Sequence, residues 1–167
     1  MLTKKTKYAV KALMALARNK GNAPMLISSI ATNEQLPKKF LEAILLEMKR
    51  NGFLASKKGA GGGYYLMKKA EDIKLAAIIR IIDGPIALLP CVSLNFYEKC
   101  DECTSEIYCG IRDVMIDVRD ATLKILGETS LADMIEREDR LKALLLEGKN
   151  ENRSEDDFKG NLGEVIS

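Results

Sequence analysis

Between residues 37 and 67 the hydrophobic period changes once, and that change limits the folds open to this chain. In "PKKFLEAILLEMKR" Leu41, Ile44, Leu45 and Met48 recur at helical spacing, and Pro37 suits a first turn, where its missing N–H is not needed. A helix over about 37–50 is expected, ended at "NG" (51–52) by the left-handed conformation that Gly tolerates. "FLASKKGAGGGYYLMKK" follows, in which two short strand-like runs, Phe53–Ser56 and Tyr64–Met67, flank a tip of lysines and glycines. That is the pattern of a β-hairpin with a longer, flexible turn. The glycines do not make a phosphate loop, because the Gly-Lys-Ser/Thr ending and the following helix are missing.

The flanking segments extend the pattern. Residues 4–19 carry Ala9, Ala12, Leu13, Leu16 and Ala17 at helical period, stopped by "NKGNAP". A short helix fits 27–33, with Ile27, Ile30 and Ala31 on one side. Helix, short helix, turn, helix and hairpin is the order of a winged helix-turn-helix. A further apolar helix, "IKLAAIIRIIDG", ends at Gly84. A long helix over about 110–126 places Ile111, Val114, Met115, Val118, Ala121, Thr122 and Ile125 on one stripe, with charges opposite, and Gly127 closes it. That stripe packs either within the monomer or against its copy across a two-fold axis. Ser130 caps a last helix, with Asp133 in its first turn, that runs to Gly148. The fold class is therefore mainly α with a small β-wing: a winged helix-turn-helix plus a long C-terminal dimerisation helix. The expected divisions are 1–84 for DNA binding, 85–109 for a cysteine-rich loop, 110–148 for the dimerisation and C-terminal helices, and 149–167 for a disordered polar tail.

Charge supports a polyanion partner. Residues 1–70 hold 14 Lys/Arg against 3 Asp/Glu, whereas residues 71–167 hold 12 against 21. A basic front half on a chain of net charge +2 marks a local surface for nucleic acid, although a solvated lysine face would look the same. The N-terminus lacks the apolar stretch of a secretory signal, and "LAAIIRIIDGPIALLP" is interrupted by Arg80, Asp83, Gly84 and two prolines. A soluble, cytoplasmic protein without membrane contact is expected.

All four cysteines fall within "CVSLNFYEKCDECTSEIYC", residues 91–109, and the chain has no histidine. In a reducing compartment clustered thiols bind metal or do redox work more often than they staple a fold. Pro85, Pro90 and the mixed composition make this segment a loop. Three readings stay open: an iron–sulfur cluster held by thiolates, a structural zinc site, and a thiol–disulfide switch through Cys100 and Cys103. Glu98, Asp101, Glu102 and Glu106 disfavour added thiolate charge unless a metal offsets it, which argues for metal. A thiol oxidoreductase would need a strand before its CxxC and a base, so no catalytic residue is assigned and an enzyme is not expected.

"LPKKFLEAILLEMKRNGFLASKKGAGGGYYL" resembles the helix-turn-helix and wing of the Rrf2 family of bacterial regulators, whose members include the iron–sulfur cluster regulator and the nitric-oxide-sensitive repressor. "AEDIKLAAIIRIIDGP" and "CGIRDVMIDVRDATLKILGETSLADM" resemble the family's next segment and its dimerisation helix with closing motif, so the resemblance covers about residues 1–136. It implies a homodimer on a pseudo-palindromic operator in double-stranded DNA. Lys38, Lys39 and Glu42 would face the major groove, and Lys57 and Lys58 would lie at the wing tip, with Lys58 aimed at the minor groove. Lysines and a helix N-terminus favour phosphate, and a carboxylate can accept from a cytosine amino group.

The resemblance also implies a 2Fe-2S or 4Fe-4S cluster in the cysteine loop, with Cys91, Cys100, Cys103 and Cys109 as ligands and zinc as the alternative. Family members typically supply three cysteines and a fourth ligand from elsewhere. Where one branch has a histidine, three residues after the last cysteine, this chain has Arg112, which cannot ligate. Where another has an N-terminal acid, it has Lys7. Its spacing, C-x8-C-x2-C-x5-C, departs from the three-cysteine pattern by supplying a fourth thiol.

Overall fold

The protein was analysed as a computed structural model, which describes residues 2–150. Its elements are α1 (Lys4–Arg18), α2 (Ile27–Asn33), α3 (Lys38–Arg50), β1 (Leu54–Lys57), β2 (Gly63–Leu66), α4 (Leu75–Ile82), α5 (Gly110–Glu128) and α6 (Leu131–Asn150), with short 3₁₀ turns at Lys20–Asn22, Ala70–Asp72 and Pro90–Val92. The mainly helical architecture with one two-stranded antiparallel sheet is the one expected. Two compact units are present, Met1–Met134 and a second that begins at Ile135, inside α6. The tail expected from 149 onwards lies, from residue 151, outside the described residues.

The core of the first unit is aliphatic. Leu13 and Leu16 of α1, Ile30 of α2, and Leu41, Ile44, Leu45 and Met48 of α3 are fully buried together. Leu54 and Leu66 of the hairpin, Ile73, Ile78 and Leu131 join them. Each helix contributes the stripe that its period sets, so burial of these side chains holds the reading elements in one block.

Two non-local backbone pairings, with side-chain bonds beside them, tie the periphery down. Met25, just ahead of α2, exchanges two 2.9 Å hydrogen bonds with Tyr64, which adds a third strand-like rung beside β2. Asn22 extends that edge with its side chain: its amide donates to the Leu66 carbonyl (2.7 Å) and its oxygen accepts the Leu66 N–H (3.0 Å). Further on, the Leu75 N–H donates to Thr129 O and the Leu131 N–H to Ile73 O, each at 2.9 Å. This last pairing clips the α5–α6 junction to the entrance of α4. Thr3 caps α1 and also donates through its N–H (3.1 Å) and hydroxyl (2.5 Å) to the Asp83 carboxylate at the end of α4. Burial alone would raise the Asp83 pKa, but the bonds from Thr3 and Thr6 outweigh it and hold the carboxyl below its ordinary value.

Several boundaries differ from the sequence expectation. Pro37 is the N-cap of α3 rather than its first helical residue. The strands sit one residue later on the first side and one earlier on the second, pairing Lys57 with Gly63. Gly127 does not end α5, which continues to Glu128, and Thr129 closes it by donating both its N–H (3.1 Å) and its hydroxyl (2.8 Å) to the Ile125 carbonyl. At Ser130 the expected cap is present: Asp133 N–H donates to the Ser130 hydroxyl oxygen at 3.1 Å, and the Asp133 carboxylate accepts from Ser130 N–H at 2.7 Å.

Candidate functional site

The first candidate surface is the outer side of α3 with the wing. Burial of Leu41, Ile44, Leu45 and Met48 leaves Lys38, Lys39, Glu42, Ala43 and Leu46 facing out. No side chain caps the first turn of α3, so its backbone N–H groups stay open to an anion. Phe40 is 63% exposed in that turn, a large apolar side chain that the sequence reading did not single out. Lys49 Nζ donates to Ser56 Oγ at 2.7 Å and thereby ties the end of α3 to β1. Lys57, the last residue of β1, and Lys58, the first of the tip, are both exposed.

Two glycines of the wing, Gly62 and Gly63, are there for space. A Cβ on Gly62 would lie 2.5 Å from the Lys57 carbonyl oxygen, and one on Gly63 would lie 2.3 Å from that of Met25. The tip is therefore a close backbone turn rather than a phosphate cradle.

The second candidate is the cysteine segment, irregular apart from the Pro90–Val92 turn. It brings Cys100, Cys103 and Cys109 together. The Cys103 thiol donates to Cys109 Sγ at 3.6 Å and also contacts Cys100. Cys109 is the N-cap of α5, and its sulfur accepts the Arg112 N–H at 3.4 Å. The Cys103 thiol is pushed up to about 12 by its contacts with Cys100 and then Cys109. Cys109 is shifted the other way, first by the Arg112 N–H and then by the Cys103 thiol. Cys103 thus contacts both its CxxC partner Cys100 and Cys109, the N-cap of α5.

Cys91 is buried in the Pro90–Val92 turn, and no hydrogen bond joins it to the other three thiols among the described residues. It is nonetheless near their network, since its sulfur acts electrostatically on the Tyr97 hydroxyl. Tyr97 donates to Glu106 Oε2 at 2.7 Å, while Glu106 Oε1 accepts the Cys100 N–H at 3.1 Å. The Tyr97 bond, then the Cys100 bond, hold the Glu106 carboxyl below its usual range, and the same Glu106 bond raises Tyr97. Arg119 of α5 donates to the Val92 carbonyl at 2.7 Å and pairs with Asp120 at 2.8 Å, fixing the turn that carries Cys91.

Thiols in mutual contact are the donor chemistry of zinc or of an iron–sulfur cluster. They meet here through S–H···S contacts, and among the described residues no three Cys, Asp or Glu side chains are set at ligand spacing around one point. One further observation favours a bound group: Arg112 Nε is buried and has no hydrogen-bond partner. The donor set and this orphaned N–H fit a sulfur-rich anionic centre.

Sequence reading missed Glu106 as the organiser of the loop, and also Arg119 and Asn22. Their partners are backbone groups or distant side chains, so spacing carries no signal for them. The long stripe on α5 was legible, and the structure leaves most of it uncovered: Ile111, Val114, Val118, Ala121 and Ile125 are exposed, whereas Met115 and Thr122 are half-buried. No described helix is long and apolar enough to cross a membrane.

The family model named Rrf2, described as an iron-dependent transcriptional regulator, matches residues 2–137. An Rrf2-like HTH-type transcriptional regulator of Rhodobacter capsulatus is 43% identical over 138 residues, covering 81% of this chain and 92% of that protein. The HTH-type transcriptional regulator IscR of Yersinia enterocolitica is 26% identical over 141 residues, covering 84% and 82%. Among solved structures, CymR, the global cysteine regulator of B. subtilis, superposes with a TM-score of 0.69 at 28% identity, over 82% of this chain and 97% of that one. IscR of T. potens superposes at 0.63, also with 28% identity, over 82% and 87%. These relatives are regulators rather than enzymes, and the match spans every element from α1 to the start of α6. The chain belongs to the Rrf2 family of winged helix-turn-helix transcriptional regulators.

Proposed function

We propose that this regulator works in the cytoplasm as a homodimer on a pseudo-palindromic operator, and senses redox state, nitric oxide or iron–sulfur status through a cluster in its cysteine loop. The observation that carries this reading is the convergence of Cys100, Cys103 and Cys109 at the N-terminus of α5, whose apolar stripe is uncovered. Those three would ligate, with Cys91 as the fourth thiolate. A bound cluster supplies a redox-active, nitric-oxide-reactive centre. The chain's own residues do the coupling. Glu106 bonds Tyr97 and Cys100 across the loop, and Arg119 holds the Cys91 turn on α5. Ordering the loop would therefore set α5 relative to α4, and through α5 the angle between two reading heads. Such a switch responds only as far as the ligand binds the two shapes differently. Lys38, Lys39 and Glu42 would read the major groove, and Lys57 and Lys58 the backbone or minor groove.

The test is iron and sulfide per monomer, visible spectrum and DNA affinity for anaerobic wild type and the four single Cys→Ser variants. Ser at 100, 103 or 109 is expected to abolish or destabilise the cluster with helical content unchanged, since the core of the reading head, from Leu13 to Leu45, holds no cysteine. Cys91→Ser is the variant best able to keep a cluster, because Glu98 or a second subunit could supply a replacement ligand. Full cluster in all four variants would remove the ligand assignment. Zinc without sulfide in the wild type would instead favour a regulator with a structural metal, whose signal is a protein or small molecule.

A further inference from the structure

Arg112 lies three residues beyond the N-cap Cys109, one turn into α5, where the side chain of a helix returns towards its capping residue. Its backbone N–H already binds the Cys109 sulfur, and its guanidinium acts electrostatically on Cys109, Glu106 and Tyr97. Yet its Nε is buried and unpartnered. The Glu106 carboxylate, which feels the guanidinium charge, already takes Tyr97 on one oxygen and the Cys100 N–H on the other. Asp113, next in sequence, is exposed. A buried guanidinium N–H without an acceptor is costly, and the Cys109 sulfur, which accepts the backbone N–H of the same residue, feels the guanidinium charge.

We propose that Arg112 is the counter-charge of the metal centre, its Nε–H donating to a thiolate sulfur or bridging sulfide there. The proposal rests on the metal-binding reading above and gives a role to a side chain that cannot ligate. Three or four thiolates leave such a centre with net negative charge, and reduction adds one more electron. A fixed cation one turn into α5 stabilises the reduced form more than the oxidised one, so it raises the reduction potential. Guanidinium suits the task because it stays charged and presents its donors on a rigid plane.

Arg112→Gln keeps a polar side chain and removes the charge, whereas Arg112→Lys keeps the charge and removes the planar fork. Both are prepared anaerobically beside the wild type, with far-UV circular dichroism to verify the fold. Iron and sulfide in the wild type test the cluster reading itself. Given a cluster, the midpoint potential of Arg112→Gln should fall so that the reduced-to-oxidised ratio at fixed potential drops about tenfold, 59 mV for one electron. Arg112→Lys should recover part of that drop. A cluster-loaded Arg112→Gln with the wild-type potential would overturn the proposal while leaving the cluster reading intact. Should the wild type carry zinc, the readout is zinc affinity against a competing chelator: about a tenfold loss in Arg112→Gln supports the counter-charge and an equal affinity overturns it. A wild type that binds neither metal overturns both the proposal and the reading beneath it.

Discussion

Lys39 and Glu42 stand nearly one turn apart on the open side of α3, and their opposite charges predict different losses on removal. If Lys39 meets only phosphate, Lys39→Ala weakens binding evenly across sequences and lowers the salt slope by about one. Lys58→Ala at the tip of the wing also weakens binding. Glu42→Ala leaves the slope nearly unchanged and relaxes base preference at one position per half-site. Anisotropy titrations of the three variants against a randomised operator set, at several salt concentrations, separate these outcomes. Wild-type affinity and preference in all three would take these residues off the DNA face. Among the cysteines the residue scale shows how far spacing carries. The gathering of four thiols was plain in the sequence, whereas the partner of each was not. Cys103 pairs with Cys109 across an intervening TSEIY, because Glu106 folds that stretch back onto Cys100. Such a return depends on loop geometry, which has no period to read.

At the scale of elements, the wing is fixed by how closely two backbones approach. Gly63 combines a φ of +144° with direct backbone contact at Met25, so Gly63→Ala is expected to cost about 2–3 kcal/mol. Gly61 also has a positive φ, +72°, but open space around it, and Gly61→Ala should cost only about 1–2 kcal/mol. Thermal unfolding of the pair measures the difference; equal losses would mean that Met25 does not hold β2. The helices themselves were readable, because amphipathic period and burial agree: α2 runs Ile27–Asn33 as expected, and Leu13, Leu16, Ile30, Leu41, Ile44 and Leu45 are all core. Boundaries set by contacts elsewhere were not. Gly127 reads as a stop, yet a helical glycine costs only about 1 kcal/mol, and the clip between residues 73–75 and 129–131 carries α5 past it. The one-residue offset of the strands is set within the tip, which closes through Gly62 N–H to Gly59 O at 2.9 Å.

For the whole molecule, the uncovered stripe of α5 predicts a dimer. Ile111, Val114, Val118 and Ile125 leave a row of apolar surface along a helix whose other side, with Met115, Ile116 and Leu123, is only half-buried against its own chain. Sedimentation at micromolar concentration should give twice the chain mass, and Val118→Glu should shift it towards monomer and weaken operator binding. A wild-type monomer at that concentration would count against the two-fold arrangement. In the dimer the two α3 helices are expected about 34 Å apart, one turn of DNA, so inserting five base pairs between half-sites should abolish tight binding. The backbone clip that joins the α5–α6 junction to the entrance of α4 gives such a dimer a mechanical property. Of the two ends of α5, the junction end is pinned by two 2.9 Å bonds, and the other meets only an irregular loop of thiols. Nineteen residues make a rod of about 28 Å. The rod is a lever with its fulcrum at residues 129–131 and its handle at Cys109, so a tilt of ten degrees displaces the handle by about 5 Å and the fulcrum hardly at all. Displacement at the sulfur end would thus be felt along the face of α5 that packs on α4 and least at the clip.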